Sequence, residues 1–268
     1  MSPDSPATAS VGRRALLASA SAAGVAALAG CATVDGLLED DVEPPERRVP
    51  ADWKPAPGNW PSEQYGPART NHNPFASPPR NEPSVGWEVD VGGVVDSLVV
   101  ADGSVFVWNE TDGVVVALDP ETGDEQWRQS VPGDGGALQA IAGRLYAGGG
   151  DWLTALTTDG EEQWSTELTD SSVWGYFLVE REGWVFLFPA DGALCLHADT
   201  GDIVERTDDA LYSATTDGVS MYGGRSTFRA FDVDGRTLDG RWTADYDGYE
   251  SYGPPAVSDG LVYRGTKT

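Results

Sequence analysis

The sequence predicts an all-β fold assembled from a repeated four-stranded antiparallel unit. Three observations predict it. Short runs of β-branched and aromatic residues alternate with Asp-Gly and Thr-Gly pairs, the signature of tight hairpins. No segment of the mature part carries a convincing 3.6-residue apolar period, so helices are expected to be scarce. The pattern also returns after about 40 residues, the period of one four-stranded β-propeller blade.

The first copy runs from Asp102-Gly103 through Val105-Phe106-Val107-Trp108 to Asp112-Gly113, Val114 to Asp119, and Glu121-Thr122-Gly123 before Trp127. The second begins at Ala142-Gly143, passes Leu153 to Leu156 and Asp159-Gly160, and reaches Trp164. A third runs from Glu182-Gly183 through Asp191-Gly192 and Leu194-Cys195-Leu196 to Asp199-Thr200-Gly201. A fourth joins Asp217-Gly218, Phe228 to Asp232, Asp234-Gly235 and Trp242, and a fifth starts at Pro255. The expectation is about four blades plus the start of a fifth, an incomplete ring. The repeats occupy residues 59–268. Trp87, Trp127, Trp164 and Trp242 are expected on outer strands, where flat rings seal the space between neighbouring blades.

The stretch from Ala117 to Trp127 resembles the tryptophan-docking motif of the pyrroloquinoline quinone (PQQ)-like β-propeller family. That family includes quinoprotein dehydrogenases and the lipoprotein of the outer-membrane barrel assembly machinery. The resemblance implies that Ala117 packs in a tight strand, Asp119 caps the turn, Gly123 permits it and Trp127 docks on the next blade. The same roles are carried to Ala155, Gly160 and Trp164, with Thr157 in place of the aspartate. They are carried also to Ala230, Asp232, Gly235 and Trp242, with an insertion before the tryptophan. In the third copy Cys195 replaces the alanine, His197 the aspartate and Glu205 the tryptophan. Residues Trp60 to Pro74 resemble the segment found ahead of the first blade in such proteins. Rings in the family usually have seven or eight blades. An end in mid-blade therefore predicts a fragment or an interrupted reading frame, with self-association completing the ring as the alternative.

Residues 1–30 read as a targeting segment. Arg13-Arg14 precede an apolar run from Ala15 to Ala29, too short for a hydrocarbon core of roughly 30 Å, which takes about 20 helical residues. Leu28-Ala29-Gly30-Cys31 resembles a lipobox, which implies cleavage after Gly30 and a diacylglyceryl group on Cys31. The paired arginines fit either a twin-arginine or a Sec route. The expected location is the outer face of the cytoplasmic membrane, with the lipid on Cys31 as anchor. Residues 31–58, with Glu39-Asp40-Asp41 and Pro44-Pro45, are expected to be a disordered acidic tether, because such composition buries little apolar surface.

Acidic residues outnumber basic ones 43 to 17, for a net charge of −26, and Lys54 and Lys267 are the only lysines. The balance resembles that of extreme halophiles, where a Debye length of about 3 Å at molar salt screens self-repulsion. No basic stripe exists to neutralise phosphates, so nucleic acid is not an expected partner. With Cys31 lipidated, Cys195 has no intrachain disulfide partner, and its apolar neighbours predict an inert buried thiol.

Catalytic chemistry finds little material. A PQQ enzyme needs a stacking floor, Ca²⁺ held by oxygen ligands and an aspartate base. The chain lacks the adjacent cysteines that many such enzymes carry, and no Glu/Asn/Asp calcium set can be assigned. His72 and His197 are too few for a zinc site and lack the partners of a nucleophilic triad, so both read as turn-capping residues. Asp232-Val233-Asp234-Gly235 and Asp245-Tyr246-Asp247-Gly248 stop short of a calcium loop. Trp174, Tyr176, Tyr249 and Tyr252 in expected loops are candidates for a binding surface, since aromatics are enriched at hot spots. The reading is a non-enzymatic protein-binding scaffold without cofactor. The alternatives are a PQQ- and Ca²⁺-dependent dehydrogenase and a sugar-binding or sensing module.

Overall fold

The computed structural model describes residues 42–265 apart from 78, 134–135, 169–177, 190–191, 209–210, 212–213, 225–226 and 246–253. Its architecture follows from the hairpin turns. Asp102-Gly103, Ala142-Gly143, Glu182-Gly183 and Asp259-Gly260 all have positive φ at both positions. That is the two-residue turn whose twist matches antiparallel strands. Each such pair joins the first two strands of a sheet.

The first sheet is β1 (Val95–Ala101), β2 (Ser104–Asn109), β3 (Val114–Leu118) and β4 (Glu125–Ser130), hydrogen-bonded in that order. The second is β5 (Ala137–Ile141), β6 (Arg144–Gly149), β7 (Trp152–Thr157) and β8 (Glu162–Glu167). The third is β9 (Leu178–Arg181), β10 (Trp184–Leu187), β11 (Ala193–His197) and β12 (Ile203–Thr207). The fourth is β13 (Thr215–Thr216), β14 (Ser220–Gly223), β15 (Thr227–Asp234) and β16 (Thr237–Asp245). A pair, β17 (Ala256–Ser258) and β18 (Leu261–Tyr263), follows. Every pairing is an antiparallel meander, and the described residues contain no helix. This is the β-propeller arrangement expected from the repeats.

Of the first strands, β1 touches β5 and β13 touches β17. Last strands face outward: β4 and β16 are largely exposed while β3, β6 and β11 are buried throughout. The apolar core therefore lies between sheets. Phe106, Trp108 and Val115 of the first pack with Leu138, Leu145 and Leu156 of the second. Tyr146, Leu153 and Trp164 of the second pack with Leu178, Val185 and Leu196 of the third. Phe186 and Cys195 of the third meet Met221 and Phe231 of the fourth, with Leu211 from the connection between them. A sheet face buried only by its neighbour makes each blade depend on the next.

Two expectations need correction. The acidic, proline-rich stretch is not a free tether as far as Gly58, because its described part packs on the blades. Val49 is 2% exposed and its carbonyl accepts from Glu182 N at 2.7 Å. The chain then exchanges backbone bonds between Trp60 and Val100, and donors Ala140, Thr216 and Val257 bond the carbonyls of Pro61, Pro67 and Ala68. One strap thus meets the ends of the first strands of all five sheets. Its composition offers few apolar side chains, but the strand ends offer unpaired amides, and backbone carbonyls suffice to satisfy them. The second correction concerns Trp87, which lies outside any strand.

Candidate functional site

Register aligns one row of side chains across each sheet. In the first, Phe106 pairs with Ala117 and Ala117 with Trp127; in the second, Tyr146, Ala155 and Trp164 align. The third sheet aligns Phe186, Cys195 and Glu205, and the fourth Tyr222, Ala230 and Trp242. A bulge follows the small residue in all four, between Ala117/Leu118, Ala155/Leu156, Cys195/Leu196 and Ala230/Phe231. A bulge re-aims the side chain beside it, here the one at the tryptophan position. The small middle residue, fully buried at Ala117, Ala155 and Ala230, leaves room for the ring.

The tryptophans reach across to the next sheet. Trp127 lies 5.7 Å from Phe106 between ring centroids, and its Nε1 donates to Thr158 O at 3.0 Å. Trp164 lies 5.9 Å from Tyr146 and donates to Ala198 O at 2.9 Å. Trp87 donates to Pro120 O at 3.0 Å. The receiving surface is a turn glycine. A Cβ on Gly123 would stand 2.7 Å from the Trp87 ring, on Gly160 2.8 Å from Trp127, and on Gly201 2.5 Å from Trp164. All three also have positive φ, so glycine answers both the conformation and the contact.

The turn residues differ from copy to copy. Asp119 Oδ1 accepts from Glu121 N and Thr122 N at 2.8 and 2.9 Å, and these amides hold its carboxyl below the usual range. Thr157 Oγ1 accepts from Glu161 N at 3.1 Å. His197 Nδ1 accepts from Asp199 N at 3.3 Å, while its Nε2 lies 2.9 Å from Glu43 O on the strap. In the fourth sheet the resemblance misassigned two positions. Asp232 bonds the Ser220 hydroxyl at 2.9 Å across the strand pair rather than capping a turn. Gly235 sits in the two-residue tip of an extended β15–β16 hairpin, with open space over it. The insertion lengthened both strands and moved the glycine away from any docking ring. Trp242 is 41% exposed, against Tyr222 and Phe228 at 6.1 and 6.0 Å.

Sequence reasoning missed a buried ionic cluster between the strap and the second and third sheets. Glu180 is the sole buried carboxylate among the described residues, its side chain 0% exposed. It takes Arg47 Nε at 2.6 Å, Arg47 Nη2 at 3.1 Å and the Tyr146 hydroxyl at 2.8 Å. Arg47 Nη2 also donates to Ile141 O at 2.8 Å. Burial opposes the Arg47 charge, but the bonds and field of Glu180 outweigh it and raise the guanidinium. Burial and then Glu180 push the Tyr146 hydroxyl far up, so it stays a donor. Farther along the strap, burial lowers Arg69 to about 10, still charged at neutral pH, as it donates to Gln64 Oε1 at 2.6 Å and Ala214 O at 3.2 Å. The one sequence signal for the cluster is an arginine inside an acidic stretch, and it names no partner.

Several sequence candidates lie outside the described residues: Arg13, Arg14, Leu28, Ala29, Gly30 and Cys31 of the targeting segment, and Trp174, Tyr176, Tyr249 and Tyr252. His72 is exposed in a loop. Among the described residues no three His, Cys, Asp or Glu side chains form a metal-holding group, and no helix is long and apolar enough to cross a membrane. Among the described residues no group of carboxylates gathers that would hold the calcium of a PQQ site. Glu180 is committed to Arg47, and Asp119, Asp217 and Asp232 hold local turns or strand pairs.

Sheets of this kind, joined by tryptophan on glycine, define a propeller of PQQ-type repeats. The chain belongs to the family described as outer membrane protein assembly factor BamB, whose pattern matches residues 80–267. Among solved structures, BamB from Moraxella catarrhalis is similar, with 17% identity and a TM-score of 0.53 over 66% of this chain and 56% of that one. The quinohemoprotein alcohol dehydrogenase ADHIIG from Pseudomonas putida HK5 is similar too, with 17% identity and a TM-score of 0.57 over 80% and 45% of the two chains. The chain thus spans about half the length of these structures, and at such identity the likeness is one of fold. Among curated proteins none matches it.

Proposed function

We propose that this chain is an exported, lipid-anchored scaffold that binds a protein partner at the outer face of the cytoplasmic membrane. The observation that carries the reading is membership, over residues 80–267, of a family described by an assembly factor. The commitment of Glu180 to Arg47 and Tyr146 agrees with it, because the one buried carboxylate among the described residues is spent on packing the strap. Fold alone does not fix function in propellers, so the donor set weighs more than the likeness to a dehydrogenase. The anchor is the diacylglyceryl group on Cys31, after cleavage behind Gly30. At −26 the chain is repelled by anionic headgroups, which leaves attachment to the lipid.

The test has two arms. Intact mass of the membrane-bound protein should show Cys31 as the lipidated first residue, and Cys31→Ala should release the protein into the medium. Crosslinking in native membranes at high salt, followed by reciprocal capture, should return one partner in constant ratio. Dye reduction that requires both added PQQ and Ca²⁺ would replace the scaffold reading with the quinoprotein one. Absence of any stoichiometric partner would remove it.

A further inference from the structure

The first two junctions of the molecule are built from the same pair of faces. On one side stands the aromatic three residues after the first hairpin turn, Phe106 or Tyr146, 0% exposed beneath the sheet that follows. On the other stands the leucine four residues before that turn, Leu138 or Leu178, 2% exposed against the sheet that precedes. Each face also occurs once without cover. Leu98 holds the leucine position in the first sheet and is 48% exposed. Tyr263 holds the aromatic position after Asp259-Gly260 in the fifth sheet and is 54% exposed.

Strand pairing fixes where these side chains point. Leu98 is opposite Val107, and Val107 opposite Val116, so the three share one face of the first sheet. Val107 and Val116 are buried there in a cluster with Val91 and Trp87. The Trp87 ring stands over Gly123 as the Trp127 ring stands over Gly160, so the chain itself fills the outer part of this face. The part beside β1 stays open. In the fifth sheet Val262 packs inward on the cluster of Tyr222 and Phe228, and alternation turns its neighbours Leu261 and Tyr263 to the other face, where both are exposed. Among the described residues this sheet consists of a first and a second strand. Those are the inner strands that the open part of the first sheet has no counterpart for.

We infer that the chain associates head to tail with a second copy of itself, the Leu261–Tyr263 face of one copy packing on the Leu98 face of the next. The contact repeats between copies the pairing of faces that Phe106 with Leu138 and Tyr146 with Leu178 make within one. A copy of this chain is the occupant because the face the first sheet lacks is the one the fifth sheet presents. Such an interface is heterologous: each copy uses one face and leaves the other for the next, until a ring closes. At −26 the copies repel one another in dilute salt, whereas at molar salt a Debye length of about 3 Å removes that barrier. The inference stands apart from the scaffold reading.

The test is sedimentation equilibrium of the exported chain carrying Cys31→Ala, so that no lipid contributes, at molar salt. Mass should rise with concentration, with Kd on the order of 10–100 μM for a face smaller than a standard interface. Leu98→Asp and Tyr263→Asp each bury an unpaired charge at the contact and should weaken association about tenfold or more. Both side chains are half exposed in the single copy, so the fold should tolerate either change. Mixed in equal amounts, the two variants should form a one-to-one complex that grows no further, since each keeps the face the other has lost. Val219→Asp, on an exposed turn of the fourth sheet, should leave association unchanged. A chain that stays monomeric to about 1 mM overturns the inference, and so does a mixture of the two variants that fails to associate. In native membranes a photo-crosslinker at position 98 should reach another copy of this chain; capture there of a different protein alone assigns the face to that protein and overturns the inference.

Discussion

The junction between the second and third sheets and the one between the third and fourth are built on the same strand order, yet they close differently. At the first, Trp164 is 7% exposed, its N–H is satisfied at Ala198 O, and its ring covers Gly201. At the second, with no tryptophan, Phe186 is still only 1% exposed, because Val233 and Leu238 of the fourth-sheet hairpin pack on its cluster, and Arg236 stands 3.9 Å from Glu205 beside it. The difference teaches that repeat register and docking are separable. Pairing of Cys195 with Glu205, and the bulge after it, persist without the tryptophan, because backbone hydrogen bonds set register while the side chain sets closure.

The strongest way to break the comparison is Trp164→Ala. It removes a buried aromatic and leaves the Gly201 turn uncovered, and should cost about 3–5 kcal/mol by denaturant unfolding at the protein's working salt. Glu180→Ala comes next. Loss of one partner from a buried pair costs about 3–5 kcal/mol, but the Arg47 side chain is 22% exposed and can regain water. A loss of about 2–3 kcal/mol is therefore expected, with faster proteolysis between residues 43 and 58 as the specific sign of a released strap. Gly201→Ala sets a Cβ 2.5 Å from the Trp164 ring at φ 76 and should cost about 2 kcal/mol. Gly235→Ala, at positive φ with open space, should cost less.

The fourth sheet also carries a pH handle. Burial works against the Asp217 charge, yet Ser220 N, Val219 N and the Tyr222 hydroxyl hold its carboxyl below the usual range. Since the folded value is depressed, this contribution is present above about pH 4 and is lost as pH falls through the folded value. Asp217→Asn should lower the melting temperature at neutral pH and flatten the acid side of its pH profile. The smallest effect belongs to Glu205→Ala. A loose, part-exposed pair is worth at most about 0.5 kcal/mol, so thermal unfolding should barely move. A large loss there would show that the ion pair, not the Phe186 to Phe231 packing, closes the third junction.

Much of this was legible in the residues. Asp-Gly pairs and the 40-residue return fixed the hairpins, and Ala117, Gly123 and Trp127 marked the docking row. The fourth copy misled because Gly235 fits the motif in one dimension while the strands beside it run on to Asp234 and Thr237. The strap was illegible for another reason. Composition measures the apolar surface a segment can bury alone, whereas residues 43–68 are held by amides at the ends of five strands far along the chain. Arg47 and Glu180 are likewise remote in sequence, and no local pattern couples them.

By itself the sequence determined the all-β class, the repeat and its tight turns, because period and turn chemistry are local properties of the chain. Only the tertiary structure decided where the strap lies, that Glu180 is spent on Arg47, and that the third row, lacking its tryptophan, is closed by the fourth sheet and its hairpin. Those outcomes depend on which distant surfaces meet, and the hairpin extended from the fourth sheet over Glu205 is visible only once the two sheets are side by side.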